Sequence, residues 1–180
     1  LYVADDNHII WQIDLTPGPN YGKTTILAGG VGQPGYVDGI GTIARFNNSQ
    51  GLATDGNSLY VADHSNNRIR QINLATKAVT TIAGSGSGTS ADGNGVAASF
   101  YNPGGITKTG QFLYVSDSSG NKIRAIDLTT NTVTTIVGTG TAGYNGDGAP
   151  VYLNHPNSVT TDGMNLYISD SLNQLIRRIY

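Results

Sequence analysis

Leu59-Tyr-Val-Ala-Asp63 recurs as Leu1-Tyr-Val-Ala-Asp5, Leu113-Tyr-Val-Ser-Asp117 and Leu166-Tyr-Ile-Ser-Asp170, at spacings of 58, 54 and 53 residues. A repeat of that length, made of short apolar runs and Gly-rich turns, marks a propeller, a solenoid or an array. Around the second copy the strands can be read one by one. Gly51-Leu-Ala-Thr-Asp55 is a short strand ended by Asp55-Gly56-Asn57, an Asp-Gly pair suited to a tight hairpin. Residues 58 to 63 form the second strand. His64-Ser-Asn-Asn67 turns the chain back, and residues 68 to 74 form the third. A Thr-rich fourth strand covers 78 to 83, and a long Gly-rich link then leads to the next copy.

Four short antiparallel strands and a link make one propeller blade. The blades occupy 1–30, 51–84, 105–138 and 158–180. The first lacks its first strand and the last lacks its fourth, so about three and a half blades are present. The links also repeat. Asp38-Gly39, Asp92-Gly93 and Asp147-Gly148 are expected to form fixed turns. An apolar plug follows each: Phe46, Phe100 and Leu153. The plugs are expected to bury between neighbouring blades, each aromatic contributing about 2–3 kcal/mol.

Composition agrees with an all-β chain. Thr, Ser and Asn supply 50 of 180 residues and Gly 25, and every acidic residue is Asp. These types favour strands and turns over helices. No apolar tract is long enough to span a membrane. The net charge is −2, with Lys and Arg dispersed, which leaves no basic face for nucleic acid. Cysteine is absent, which removes disulfides and thiolate metal ligands. The chain begins and ends inside a repeat and reads as part of a longer, exported polypeptide: extracellular, cell-surface or periplasmic.

The loop before each third strand reads Asn7-His8-Ile9, Asn67-Arg68-Ile69, Asn121-Lys122-Ile123 and Gln174-Leu175-Ile176. With the linker from Gly143 to Pro156, these triplets resemble the NHL repeat family. The resemblance implies a β-propeller that closes with six blades. It implies service as a protein-binding platform, an RNA-binding domain or, in one branch, a zinc lyase.

Asp63, Asp117 and Asp170 each precede an Arg by seven residues: Arg70, Arg124 and Arg177. Recurrence in each blade reads as a structural pair at the blade corner. The first copy has a loop one residue shorter and Trp11 in the place of the Arg. Trp11 either fills a gap at an incomplete edge or stacks on a partner or sugar ring. Asn48, Asn102 and His155 stand just before first strands, which line the axis in the resembled fold. They are the candidate binding residues, with Tyr36, Tyr101, Tyr144 and Tyr152 as aromatic anchors. His8 and His64 are placed in loops away from the axis, so His155 alone does not make a zinc site. The Asp and Asn clusters match no complete calcium loop. No nucleophile elbow is present. Neither zinc, calcium nor any other cofactor is expected from these residues. Asn47-Asn48-Ser49 is a glycosylation sequon.

The sequence therefore points to a non-catalytic scaffold that contacts protein or glycan, with self-association through open blade edges as a further expectation. The alternative is a metal-dependent lyase or hydrolase whose axial site is completed by other blades.

Overall fold

The structure, a computed structural model, describes residues 1–146 and 148–180. Asp147, the first residue of the third Asp-Gly pair, lies outside them. Four small antiparallel sheets follow one another along the chain, and the described residues contain no α-helix. Blade 1 is β1 (Tyr2–Asp5), β2 (Ile9–Ile13) and β3 (Thr24–Gly29). Blade 2 takes β4 (Gly39–Ile40), β5 (Ser49–Thr54), β6 (Ser58–Asp63), β7 (Arg68–Asn73) and β8 (Ala78–Ala83). Blade 3 takes β9 (Gly93–Asn94), β10 (Pro103–Thr109), β11 (Phe112–Asp117), β12 (Lys122–Asp127) and β13 (Thr132–Val137). Blade 4 is β14 (Pro156–Thr161), β15 (Leu166–Asp170) and β16 (Leu175–Ile179). The chain is a partial β-propeller.

The Asp38-Gly39 and Asp92-Gly93 pairs do not form simple turns. Gly39–Ile40 pairs with β8, and Gly93–Asn94 pairs with β13. Each link thus adds a two-residue fifth strand to the outer edge of the blade it leads into. An outer strand offers a row of unpaired backbone groups; the link pairs with two residues of each, and its Asp38 or Asp92 carboxylate accepts the Thr81 or Thr135 N–H beyond them.

Alternation along each strand sends neighbouring side chains into opposite seams. In β6, Leu59 and Val61 face blade 1, where they pack with Ile10, Leu27 and the plug Phe46. Tyr60 and Ala62 face blade 3, where they pack with Leu113, Val115 and the plug Phe100. Leu153 closes the third seam with Ile123, Val159 and Ile168. All three plugs are fully buried. The core is therefore three successive seams, and each blade depends on its neighbours for burial.

The inner strands β5, β10 and β14 pack side by side and converge toward the axis. Each carries a bulge near its start. Gly51 sits in the first of these bulges. A Cβ there would lie 2.5 Å from the Gly104 carbonyl oxygen and 2.7 Å from the Ile106 nitrogen. Glycine is what lets the two backbones approach so closely.

Candidate functional site

At the corner of blade 2, the Asp63 carboxylate is wholly buried. Its Oδ1 accepts the Asn47 N–H at 2.8 Å. Its Oδ2 accepts Arg70 Nη1 and Asn66 Nδ2, both at 2.8 Å. Arg70 is buried as well and also donates to Asp38 Oδ1 at 2.6 Å and to the Val37 and Arg45 carbonyls. Its guanidinium lies 5.1 Å from the Phe46 ring centroid. One ion pair thus fastens the link, the plug and two strands together. Burial pushes the Asp63 carboxyl above the ordinary Asp value, against the Asn66, Asn47 and Arg70 hydrogen bonds.

Blade 3 repeats the arrangement. Asp117 accepts the Tyr101 N–H at 2.6 Å and Arg124 Nη1 at 2.8 Å, and Arg124 reaches Asp92 at 2.8 Å. Residue 120 is Gly where blade 2 has Asn66, so the amide donor is missing. Ser90 from the link supplies a hydroxyl to Asp117 Oδ2 instead, at 2.5 Å. In blade 4 Asp170 accepts the Asn154 N–H at 2.7 Å, Asn173 Nδ2 at 2.8 Å and Arg177 Nη1 at 3.2 Å. Blade 1 has no Arg at this corner. Trp11 is half-buried there and donates its indole N–H to Asp5 Oδ2 at 3.0 Å. The corner carboxylates Asp63, Asp117 and Asp170 and the Arg that pairs with each are buried and bonded to partners from their own chain. They hold the blades and offer no free acid, base or cation to a substrate.

The second set of residues lies at one end of the inner strands, here called the rim. Asn48, Asn102 and His155 all adopt left-handed backbone conformations, with φ of 53°, 55° and 54°. Asn tolerates that region better than most residues. Each backbone N–H is captured by a loop of the preceding blade. Asn48 donates to His8 Nδ1 at 3.2 Å, Asn102 to Asn67 Oδ1 at 2.8 Å and His155 to Asn121 Oδ1 at 2.9 Å. The loop Asn of the triplet is therefore a stitch between blades, a role the sequence reading missed. Its signal was present: an Asn that closes a loop in successive copies. The stitch also corrects the alignment of the first copy. His8, and not Asn7, takes the place of Asn67, and Ile10 takes that of Ile69.

The histidines differ from the sequence expectation too. His8 and His64 are not remote from the rim. His8 holds Asn48, and His64 Nδ1 lies 3.5 Å from Asn102 Nδ2. Ser119 Oγ donates to Asn102 Oδ1 at 3.1 Å. Burial pushes the His64 imidazole below the ordinary His value, and the charge of His155 adds to the shift. Among the described residues no group of three or more His, Cys, Asp or Glu converges to hold a metal. Ser49 of the glycosylation sequon is buried. Tyr36 and Tyr144 are exposed on the links, and Arg68 covers Tyr36 at 3.5 Å from its ring centroid. Tyr101 is exposed beside Asn102. A cavity of about 850 Å³ lies beside Leu1, Asp14 and Pro17 of blade 1, and none of the rim residues lines it.

A scan of protein-family models finds none that matches. Among curated proteins, the chain is 39% identical over 145 residues to NHL repeat-containing protein 2 of Bos taurus. That alignment takes 74% of this chain and 19% of the relative. The protein of the same name from Homo sapiens is 35% identical over 148 residues, or 76% of this chain and 20% of the relative. The chain belongs to the NHL repeat family. It spans about a fifth of the length of the curated relatives it matches. The fold is similar to that of a solved auxiliary nutrient binding protein of Bacteroides ovatus, with a TM-score of 0.74 at 21% identity. That likeness covers 99% of this chain and 44% of the solved one. In this NHL segment no helix among the described residues is long and apolar enough to cross a membrane.

Proposed function

We propose that this NHL segment is a non-catalytic binding module whose contact surface is the rim carrying Asn48, Asn102 and His155. The observation that carries the reading is the division of labour between corner and rim. The corner Asp and Arg residues are buried and paired with one another. The rim presents amide, hydroxyl and imidazole groups from three neighbouring blades, tied at fixed spacing by backbone hydrogen bonds. Such a surface recognises amides and hydroxyls by hydrogen bonding, and Tyr101 beside it provides an aromatic anchor. A peptide or a glycan fits that chemistry. The name of the Bacteroides ovatus neighbour, an auxiliary nutrient binding protein, agrees with a binding role on this fold.

Saturation-transfer NMR with oligosaccharide and peptide panels tests the reading. Asn102→Gly keeps the left-handed backbone and removes the side chain. A ligand that receives saturation from the wild type and loses most of it with Asn102→Gly supports the rim. A ligand whose contacts map instead to the links around Tyr36 and Tyr144, unaffected by that change, contradicts it.

A further inference from the structure

The three stitches at the rim do not use the same chemistry. Asn102 and His155 give their backbone N–H to a side-chain amide oxygen, of Asn67 and Asn121 respectively. Asn48 gives its N–H to an imidazole nitrogen, His8 Nδ1. His8 holds the place of Asn67 and shares its left-handed backbone, with φ of 68° against 55°. An amide oxygen accepts a hydrogen bond whatever the pH. An imidazole nitrogen accepts one only while it keeps its lone pair. A backbone N–H can only donate, so the 3.2 Å contact requires a neutral ring with its proton on Nε2. Charging the ring sets one N–H against another.

The neighbouring bonds of this segment stay inside blade 2. The Asn47 N–H goes to Asp63, and the Asn47 carbonyl accepts the Ser65 N–H. Loss of the His8 bond therefore parts the Asn48 loop from blade 1 and leaves the corner of blade 2 intact. The charged groups around the ring do not oppose its charging. Asp5 and Asp6 lie on its own loop. Asp5 is engaged with the Asn7 N–H and the Trp11 indole, and it attracts a charged His8. On the link, Arg45 spends its guanidinium on the Thr42, Ile43 and Ala44 carbonyls. In blade 2, Asp63 is closed in its corner, and His64 rests against Asn102 at the next seam.

We propose that His8 is a pH-sensitive stitch: neutral, it ties the Asn48 loop of blade 2 to blade 1, and charged, it releases that loop while the two amide stitches hold. The bond is complete where the imidazole is neutral and fades as the pH falls through the range in which histidine charges, about pH 8 to pH 5. Acid then loosens the Asn48 part of the rim and leaves the Asn102 and His155 parts in place. The bearing of this on binding rests on the rim being the contact surface.

The test is residue-resolved amide exchange at about pH 7.5 and about pH 5, each rate taken relative to that of an unstructured peptide at the same pH. Protection of the Asn48 N–H should fall about fivefold at the lower pH, the weight of one hydrogen bond. Protection of the Asn102 and His155 N–H groups should change far less. Long-range proton–nitrogen spectra of the His8 ring should show the Nε2–H tautomer at the higher pH. His8→Asn installs the acceptor of the sibling blades and should keep Asn48 protected at both pH values. His8→Ala removes the acceptor and should leave Asn48 poorly protected at both. Equal protection of Asn48 at the two pH values in the wild type, a fall that persists in His8→Asn, or an Nδ1–H tautomer at the higher pH overturns the proposal. These readouts need no ligand, whereas the rim reading stands or falls on the saturation-transfer experiment, so the two failures are distinguishable.

Discussion

Trp11 donates its indole N–H to Asp5 at 3.0 Å, in the place where Arg70 donates to Asp63 at 2.8 Å one blade later. A neutral donor replaces a charged one at the same cross-strand register, Trp11 opposite Val3 as Arg70 is opposite Val61. Asp5 is held below the ordinary Asp value by the Asn7 N–H first and by the Trp11 indole second. Trp11→Phe keeps the ring and removes the donor. It should lower the urea midpoint slightly and raise the Asp5 midpoint in a carboxyl NMR titration. An unchanged Asp5 midpoint would show that the indole bond is not formed in solution.

The two acidic partners of Arg70 should differ in weight. Asp63 is fully buried, while Asp38 is 46% exposed. Asp63→Ala leaves the buried guanidinium short of its enclosed counter-charge and should cost about 3–5 kcal/mol. Asp38→Ala should cost about 1 kcal/mol or less, because solvent screens that pair. Equal losses in equilibrium unfolding would refute the distinction between corner and edge.

The seam plugs should be costly to truncate. Phe46→Ala and Phe100→Ala each open a cavity between two sheets and should cost about 3–5 kcal/mol. Hydrogen exchange should then accelerate on both sides of the affected seam: blades 1 and 2 for Phe46, blades 2 and 3 for Phe100. Acceleration confined to one blade would mean that the plug does not join two.

Close approach at the axis gives a paired glycine test. Gly51→Ala forces a methyl group against the backbone of blade 3 and should lower the melting temperature sharply. Gly110→Ala meets no atom within 4 Å, so only the strain of its φ of 52° is added. The first change should cost more than the second. The reverse order would mean that the inner strands stand farther apart.

Acid should act on two groups of carboxyls with opposite sign. Asp162 is held below the ordinary 3.8 by the Asn165 side chain and by the Asn165 and Met164 N–H groups. Its contribution is complete above that value and fades as the pH falls toward its lower folded midpoint. Burial raises Asp63 and Asp117, so their protonation favours the folded state, and that contribution fades as the pH climbs through their folded midpoints. Carboxyl carbon shifts followed from pH 2 to pH 6 should separate Asp162 from Asp63 and Asp117 on either side of 3.8.

Much of this was legible in the chain because strand pairing is local. Asp63 and Arg70 lie on adjacent strands joined by a short loop, so their seven-residue spacing survives in each full-length copy. The plugs were legible for the same reason: each precedes an inner strand at a constant distance. What escaped was contact between blades. The Asp38-Gly39 pair has the local chemistry of a turn, and only the free edge of β8 draws it into a sheet. Asn67 and Asn121 look like ordinary loop residues until the next blade presents its N–H. His64 and His155 belong to different copies, and nothing in either copy says that both loops end on the same side. The one-residue slip in the first triplet has a similar origin, since Asn7-His8-Ile9 imitates the motif while the shorter loop shifts the register.

The most direct test is residue-resolved hydrogen exchange on the folded protein. Slow exchange should recur once per repeat in the second and third strands. The N–H groups of Asn102 and His155, captured by Asn67 and Asn121, should be protected although they lie in loops, and should lose that protection in Asn67→Gly and Asn121→Gly respectively. Protection at strands without protection at these two amides, or no change in the variants, would contradict a propeller whose blades are stitched one to the next at the rim.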